Sequence, residues 1–112
     1  ANMESKFQYR FSHKAEADLE DIVSYIAVEL ANPQAASDFV KELEKVIDGT
    51  RCFPESGALV SNEFLSNTGV RKKLIDNYIM YYLPVKEEQL IYIVRIVYGK
   101  RNMDEILRKL KL

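Results

Sequence analysis

The chain begins with apolar and polar residues in alternation and then changes to a helical period. Phe7, Tyr9 and Phe11 each stand between polar neighbours, which is the two-residue period of a half-buried strand. Ser12 is a suitable N-cap for the helix that follows. Over residues 14–30 the apolar positions form one helical stripe: Leu19, Ile22, Val23, Ile26, Ala27, Leu30. The pattern therefore predicts a short strand followed by an amphipathic helix.

A second helix is predicted after a short connection. Asn32 before Pro33 indicates an N-cap with proline at the first helical position. The apolar stripe continues at Ala36, Phe39, Val40, Leu43, Val46 and Ile47. Gly49 then predicts the end of the helix. Because only about two residues join the helices, we expect an antiparallel helical hairpin.

The second half of the chain is rich in strand-forming residues. Residues 51–68 contain Pro54, Gly57 and several serines and asparagines, so we predict a loop with at most a helical turn at 63–65. Strands are predicted at 70–75, 78–85 and 89–98, with turns at 76–77 and 86–88. Asn102 can cap a last helix over 103–110.

These elements predict an α+β fold in the order β-α-α-β-β-β, with the helical hairpin packed on a small, mainly antiparallel sheet and a short C-terminal helix. In the last strand, alternation assigns one face to Leu90, Tyr92, Val94, Ile96 and Tyr98 and the other face to the residues between them. Both faces are apolar, so both need a cover. An apolar groove on the side away from the hairpin would fit a partner's helix or strand.

The length and the charge distribution limit the kinds of protein this can be. With 112 residues, the chain is interpreted as a single domain over 1–112, with Ala1 and Asn2 as a cloning remnant ahead of Met3. The formal net charge of −1 argues against a strongly basic nucleic-acid binder. The net charge is unevenly distributed along the sequence. The chain up to Leu65 carries 6 basic and 12 acidic residues, and the rest carries 10 basic and 5 acidic residues. The basic half can meet an anionic partner, or folding can disperse its charges.

Cysteine and histidine are too few for a metal cluster or an internal disulfide. Cys52 and His13 each occur alone, so the sequence predicts no metal and no other cofactor. We expect Cys52 to be a buried, inert thiol and the compartment to be the reducing cytoplasm. No stretch approaches the ~18 apolar residues of a transmembrane helix, so no membrane partner is expected.

Five segments carry a resemblance to a known family. They are NPQAA at 32–36, FPESG at 53–57, VRKKL at 70–74, NYIMYY at 77–82 and RIVYGKR at 95–101. Together and in this order they resemble the RelE/ParE superfamily, the toxins of bacterial type II toxin–antitoxin modules. The resemblance implies a plasmid-stabilisation type of growth inhibitor that a cognate antitoxin neutralises, either as a homodimer or within a toxin–antitoxin hetero-oligomer. Its FPxxG loop and long hairpin are more similar to the ParE branch.

The ParE-like and RelE-like branches differ in their cellular targets. The resemblance implies either that the chain binds DNA gyrase, as ParE-like members do, or that it is a ribosome-dependent endoribonuclease that cuts mRNA, as RelE-like members are. For the nuclease, Lys100 and Arg101 match a basic pair that stabilises phosphate, and Tyr98 stands where many members have histidine. Two expected catalytic groups are replaced, by Ile79 and Leu107. A nuclease without a metal needs such groups, so this departure favours the gyrase-binding branch.

Other basic residues of the second half are candidates for contact with the target or with nucleic acid. Arg71, Lys72 and Lys73 form a basic run, which either binds an anionic surface or protects a solvated edge strand from aggregation. Arg95 lies in an apolar strand and either contacts the target or pairs with a carboxylate, and pairing is the favoured interpretation because an unpaired buried charge is costly. Most tyrosines are expected in the core, with Tyr98 as the exception. A third hypothesis is a degenerate module that only binds its antitoxin.

Overall fold

The computed structural model of the chain describes residues 6–60 and 68–100, and within them the fold is α+β as predicted. Two helices pack on a five-stranded sheet. The strands and helices are β1 (Gln8–Phe11), α1 (His13–Ser24), α2 (Pro33–Cys52), β2 (Ala58–Leu59), β3 (Arg71–Ile75), β4 (Tyr78–Val85) and β5 (Leu90–Tyr98). The predicted helical turn at 63–65 and the predicted helix over 103–110 lie outside the described residues.

The strand order in the sheet is β1-β5-β4-β3-β2. The β2–β3, β3–β4 and β4–β5 pairs are antiparallel, whereas β1 pairs in parallel with β5. The sheet is therefore mainly antiparallel, as predicted. The pairing of β2 with β3 was not predicted, because the two residues of β2, Ala58 and Leu59, lie inside the segment that composition assigns to a loop.

Both predicted N-caps are confirmed. The Ser12 hydroxyl accepts a hydrogen bond from the amide of Ala15 (3.0 Å) and donates one to the carbonyl of Val94 (2.8 Å), so it caps α1 and joins it to β5. The Asn32 carboxamide accepts from the amide of Ala35 (3.0 Å) at the start of α2. A capped helix start depends on neighbouring residues only, which is why it can be predicted from sequence.

The first helical segment ends close to the predicted residue but differs in its last turn, whereas the predicted end of the second helix was wrong. α1 ends at Ser24, and residues Tyr25–Glu29 form a single π-helical turn. α2 continues past Gly49 to Cys52. There Thr50 is fully buried and its hydroxyl bonds the carbonyl of Val46 (2.7 Å), so packing against the core prolongs the helix beyond its glycine.

A β-bulge overturns the predicted alternation in β5. The β4–β5 register pairs Tyr81 with Arg95 and Tyr82 with Ile93, so Val94 is an extra residue on β5. As a result Ile96 joins Ile91 and Ile93 in the core below the helices, and Val94 belongs to the opposite face. Strict alternation had placed Val94 and Ile96 together.

Each face of the sheet carries its own apolar cluster. The hairpin face is the larger core and includes Ala15, Ile22, Phe39, Leu43, Ile47, Ile75, Met80, Tyr82, Ile91, Ile93 and Ile96. The opposite face includes Val60, Val70, Tyr81, Val94 and Val97, with Ile79, Leu83 and Tyr92 packed against them. Tyr81 and Tyr82 are buried, as expected for most of the tyrosines. Cys52 is exposed, so the prediction of a buried thiol was wrong: it occupies the last helical position of α2, just past the buried Thr50.

Candidate functional site

The C-terminal end of β5 holds two of the three residues assigned to nuclease chemistry. Tyr98 is the last residue of β5 and is 39% exposed, and Lys100 is exposed in the turn that follows. Gly99 donates its amide hydrogen to the carbonyl of Asn77 (2.9 Å), which holds this turn against the β3–β4 turn. Arg101 lies outside the described residues. Tyr98 and Lys100 are therefore close in the chain and accessible at one end of the sheet.

Tyr98 is part of a row of aromatic rings. It faces Tyr78 across the β4–β5 ladder, edge to face with ring centroids 5.6 Å apart, and Tyr78 contacts Phe39 of α2 in the same way at 5.1 Å. Burial raises the pKa of the Tyr78 hydroxyl, and the neighbouring hydroxyls of Tyr25 and Tyr98 raise it further. Tyr78 therefore remains a neutral phenol at neutral pH.

A cleft of about 670 Å³ lies beside this row of rings. The π-helical turn contributes Tyr25 and Ile26, α2 contributes Phe39, and the β3–β4 turn contributes Asp76. The cleft was not predicted, because its walls come from four distant parts of the sequence. Residues 76–77 were identified only as a turn, and Tyr25 lay outside the apolar stripe of the predicted helix.

Arg95 is paired with a carboxylate, which confirms the favoured interpretation. Its Nε lies 2.7 Å from Asp18 Oδ2 and its Nη2 lies 2.9 Å from Asp18 Oδ1, and both side chains are about 15% exposed. Asp18 also accepts the backbone amide of Ile96 (3.0 Å). The bidentate hydrogen bond to Asp18 raises the pKa of the guanidinium above its ordinary value. This charge therefore joins α1 to β5.

Arg71 is also engaged in contacts within the protein. Its Nη1 donates to the carbonyls of Glu55 (3.0 Å) and Gly57 (2.8 Å) in the FPESG segment. The hydroxyl of Tyr82 donates to the carbonyl of Pro54 (2.9 Å) and accepts from the amide of Gly57 (2.8 Å). One guanidinium and one buried phenol thus hold the loop that carries part of the family resemblance.

The basic run on β3 does not form one surface. Arg71 and Lys73 are opposite Tyr82 and Met80, which belong to the hairpin-side core, whereas Lys72 is opposite Tyr81 on the other face. Lys72 is exposed, while Lys73 is partly buried, and burial lowers the pKa of its ammonium group. Strand alternation therefore separates the three charges.

Ile79 is one of the two residues at which the sequence departs from the resemblance to a nuclease. It is packed against the apolar cluster on the face away from the hairpin, with Val97 as its partner across β4 and β5. The Ile79 side chain itself is packed in apolar surroundings and supplies no cation.

Across residues 6–60 and 68–100, no three His, Cys, Asp or Glu side chains come together as metal ligands. In the same residues no helix is both long and apolar enough to cross a membrane.

Comparison with known proteins gives the family and the fold of the chain. Residues 9–103 match the family described as the ParE toxin of the type II toxin–antitoxin system, parDE. Curated protein sequences give no match. Among solved structures, the chromosomal ParDE toxin–antitoxin system from P. aeruginosa is similar with a TM-score of 0.66 at 23% identity, over 86% of this chain and 99% of that one.

Two RelE structures are similar as well. The RelBE2 toxin–antitoxin complex from Mycobacterium tuberculosis has a TM-score of 0.59 at 18% identity, over 83% of this chain and 98% of that one. A mutant of the E. coli toxin RelE in the free state has a TM-score of 0.61 at 14% identity, over 94% and 99%. At these identities the structures show a shared fold, while the family match covers most of the sequence. The chain belongs to the ParE toxin family of type II toxin–antitoxin systems.

Proposed function

We propose that this toxin arrests growth by binding a protein target such as DNA gyrase, and that a cognate antitoxin neutralises it. The single observation that carries the choice of target class is the engagement of Arg71 and Arg95 within the described part of the protein. Arg95 is bound to Asp18, and the Nη1 of Arg71 is bound to two backbone carbonyls. Both guanidiniums hold elements of the fold together, so a phosphate would have to compete with these contacts.

The replaced position in β4 supports the same choice. RNA cleavage without a metal requires cations beside the scissile phosphate and a group that transfers protons. Ile79 supplies neither. Binding to a protein surface requires none of these groups.

Exposed apolar side chains support an antitoxin partner. Val28, Phe53, Leu59 and Leu74 are each more than half exposed, and they offer apolar surface that a partner can cover. The similar P. aeruginosa and M. tuberculosis structures are a ParDE toxin–antitoxin system and a RelBE2 toxin–antitoxin complex. We expect the antitoxin to cover some of these side chains, and we place the pair in the cytoplasm, where gyrase is found.

The decisive experiment compares the two target classes directly. Purified protein is added to a gyrase supercoiling reaction, and mRNA from cells that express the chain is mapped by primer extension. We expect loss of supercoiling with intact transcripts. Codon-linked cuts in the transcripts together with unaffected supercoiling would establish the endoribonuclease instead.

Variants test the site assignment separately. Arg101→Ala and Tyr98→Phe remove the groups assigned to nuclease chemistry, and Lys41→Ala, on the exposed face of α2, serves as the control for a lost charge. A gyrase-binding toxin should tolerate the loss of the Tyr98 hydroxyl. An endoribonuclease that uses the hydroxyl for proton transfer should lose about a hundredfold or more in cleavage rate.

A further inference from the structure

The cleft beside Tyr98 has a chemical character that the toxin function leaves unexplained. Its volume of about 670 Å³ is within the range of binding pockets, and four aromatic residues line it: Tyr25, Phe39, Tyr78 and Tyr98. A smaller neighbouring pocket of about 200 Å³ shares the three tyrosines. Tyr25 and Tyr98 are 47% and 39% exposed, so their rings are accessible to a ligand.

The rings of Tyr25 and Tyr98 supply the accessible aromatic surface of the cleft, because Phe39 is only 3% exposed. Phe39 with Tyr78, and Tyr78 with Tyr98, are inclined at 67° and 70°, so neither pair is stacked flat. The face of an aromatic ring carries negative partial charge and attracts a cation placed over it. Several such faces around one cavity are typical of sites that accept an alkylammonium or guanidinium group.

The charges around the cleft have one sign. Asp76 lines the larger cleft, and Asp21 lines the smaller pocket together with Asp18, which is occupied by Arg95. No lysine, arginine or histidine lines either pocket within the described part of the chain. A cation entering here would therefore meet both aromatic faces and uncompensated carboxylates.

We propose that this cleft receives an arginine side chain from a partner polypeptide. Arginine fits better than lysine because its planar, weakly hydrated guanidinium stacks on aromatic rings and also bonds a carboxylate. A polypeptide fits better than a small cation because the adjoining π-helical turn continues in exposed apolar side chains, with Val28 at 73% and Leu30 at 55% exposure. The partner segment presents an arginine flanked by apolar residues. This proposal does not depend on the target of the toxin.

The test is an NMR titration of the whole protein with two tripeptides. The probe is acetyl-Leu-Arg-Leu-amide, and the control replaces arginine by citrulline, which has nearly the same shape without the charge. We expect saturable shifts of the ring signals of Tyr25, Tyr78 and Tyr98 with the arginine peptide. The citrulline peptide should bind about tenfold more weakly or worse, as expected when a partly desolvated cation–π contact and its carboxylates lose the charge.

Variants separate the aromatic contribution from the electrostatic one. Tyr98→Phe keeps the ring and should bind the arginine peptide within about twofold, whereas Tyr98→Leu should lose about threefold to tenfold. Asp76→Asn preserves the fold, because asparagine suits the left-handed backbone at this position (φ 53°). Without the carboxylate, the arginine peptide should bind more weakly, and its affinity should depend less on salt concentration. Glu87→Gln, exposed at the opposite end of the β4–β5 hairpin, should change neither.

Four results would overturn the proposal. Equal affinity for the arginine and citrulline peptides would show that the cation is not recognised. Shifts centred on another surface would exclude this cleft, and acetyl-arginine-amide binding as tightly as the tripeptide would exclude a polypeptide occupant. If Tyr98→Leu fails to fold, Tyr25→Leu, at a more exposed position, makes the same comparison. If the protein inhibits supercoiling but binds no peptide, the proposed arginine site is wrong, whereas the proposed function of the toxin stands.

Discussion

Gly57 belongs to a motif that can be identified from the sequence, but the sequence does not show why a glycine is required at this position. The FPESG segment was recognised as part of a family resemblance, yet nothing in it indicates what the glycine touches. A Cβ on Gly57 would lie 2.6 Å from the hydroxyl oxygen of Tyr82 and 2.7 Å from the carbonyl oxygen of Lys72. The side chain that forbids a larger residue is 25 positions away, so this constraint exists only after folding.

Gly57→Ala should destabilise the protein, because neither the backbone of β3 nor the buried Tyr82 can move away cheaply. The free energy of unfolding should fall by about 1–3 kcal/mol, as in other overpacked cores. Gly49→Ala is the matched control: nothing lies within 4 Å of its Cβ position and the site is helical, so stability should rise by about 0.5–1 kcal/mol. Urea unfolding of both variants measures the difference. Equal effects would contradict the packing argument.

Secondary-structure elements divide into those set by neighbouring residues and those set by distant contacts. The starts of α1 and α2 were predicted because Ser12 and Asn32 cap the residues that follow them. The bulge at Val94, the π-helical turn and the extension of α2 to Cys52 were missed. At the bulge, the carbonyl of Val94 accepts a hydrogen bond from Ser12, which is 82 positions away in the chain. At the end of α2, Thr50 is buried in the core. Neither contact can be predicted from the neighbouring residues.

Ser12→Ala should cost more than an ordinary cap, because the hydroxyl serves two elements. It removes the acceptor for the amide of Ala15 and the donor to the carbonyl of Val94, and we expect a loss of about 1–2 kcal/mol in the free energy of unfolding. Ser37→Ala, at an exposed position inside α2, should change stability by less than about 0.5 kcal/mol. Thermal unfolding of both variants provides the comparison, and similar melting temperatures would show that the Ser12 contacts contribute little.

Over the whole molecule, the candidate site was only partly predictable. Tyr98 and Lys100 are two positions apart in the sequence, and a motif could identify them together. The cleft combines the α1–α2 connection, α2, the β3–β4 turn and β5, and no local pattern links them. The charge polarity was visible in the sequence, but alternation along β3 and the pairing of Arg95 with Asp18 determine which charges remain available.

Two ion pairs that join separate elements predict how the whole fold responds to acid. The hydrogen bond from Lys6 (2.9 Å), with the charges of Lys6 and Arg51, lowers the pKa of Asp48, and Lys86 lowers the pKa of Glu55 in the same way. A lowered pKa in the folded state means that these contacts stabilise the protein above the unfolded carboxyl pKa of ~4. That stability is lost as the pH falls through the lower, folded-state value.

Thermal unfolding from pH 6 to pH 2.5 should therefore show a falling melting temperature below about pH 4. The double variant Asp48→Asn, Glu55→Gln has lost these contacts at every pH, so its melting temperature should fall less over this interval. Glu20→Gln with Glu29→Gln makes the same change in charge at exposed positions of the α1 segment and should behave as the unmodified protein does. An unchanged acid response in the first double variant would assign the transition to other carboxylates.

The polarity of charge predicts which face of the toxin meets its target. Lys72 lies on the sheet face away from the hairpin and Lys100 follows β5, and both are exposed, whereas much of the acidic charge is on the helices. If the target is anionic, Lys72→Glu and Lys100→Glu should each lower its association rate by roughly twofold to tenfold at low salt. Growth arrest would then require more toxin.

Lys41→Glu is the matched control, because it changes the net charge equally from the exposed surface of α2. All three variants replace exposed residues, so their stabilities should stay within about 0.5 kcal/mol of the parent and differences in growth arrest should report binding. The readout is the rate of growth inhibition at matched expression, with supercoiling inhibition measured at two salt concentrations. If Lys41→Glu weakens the toxin as much as Lys72→Glu does, net charge rather than the sheet face determines recognition.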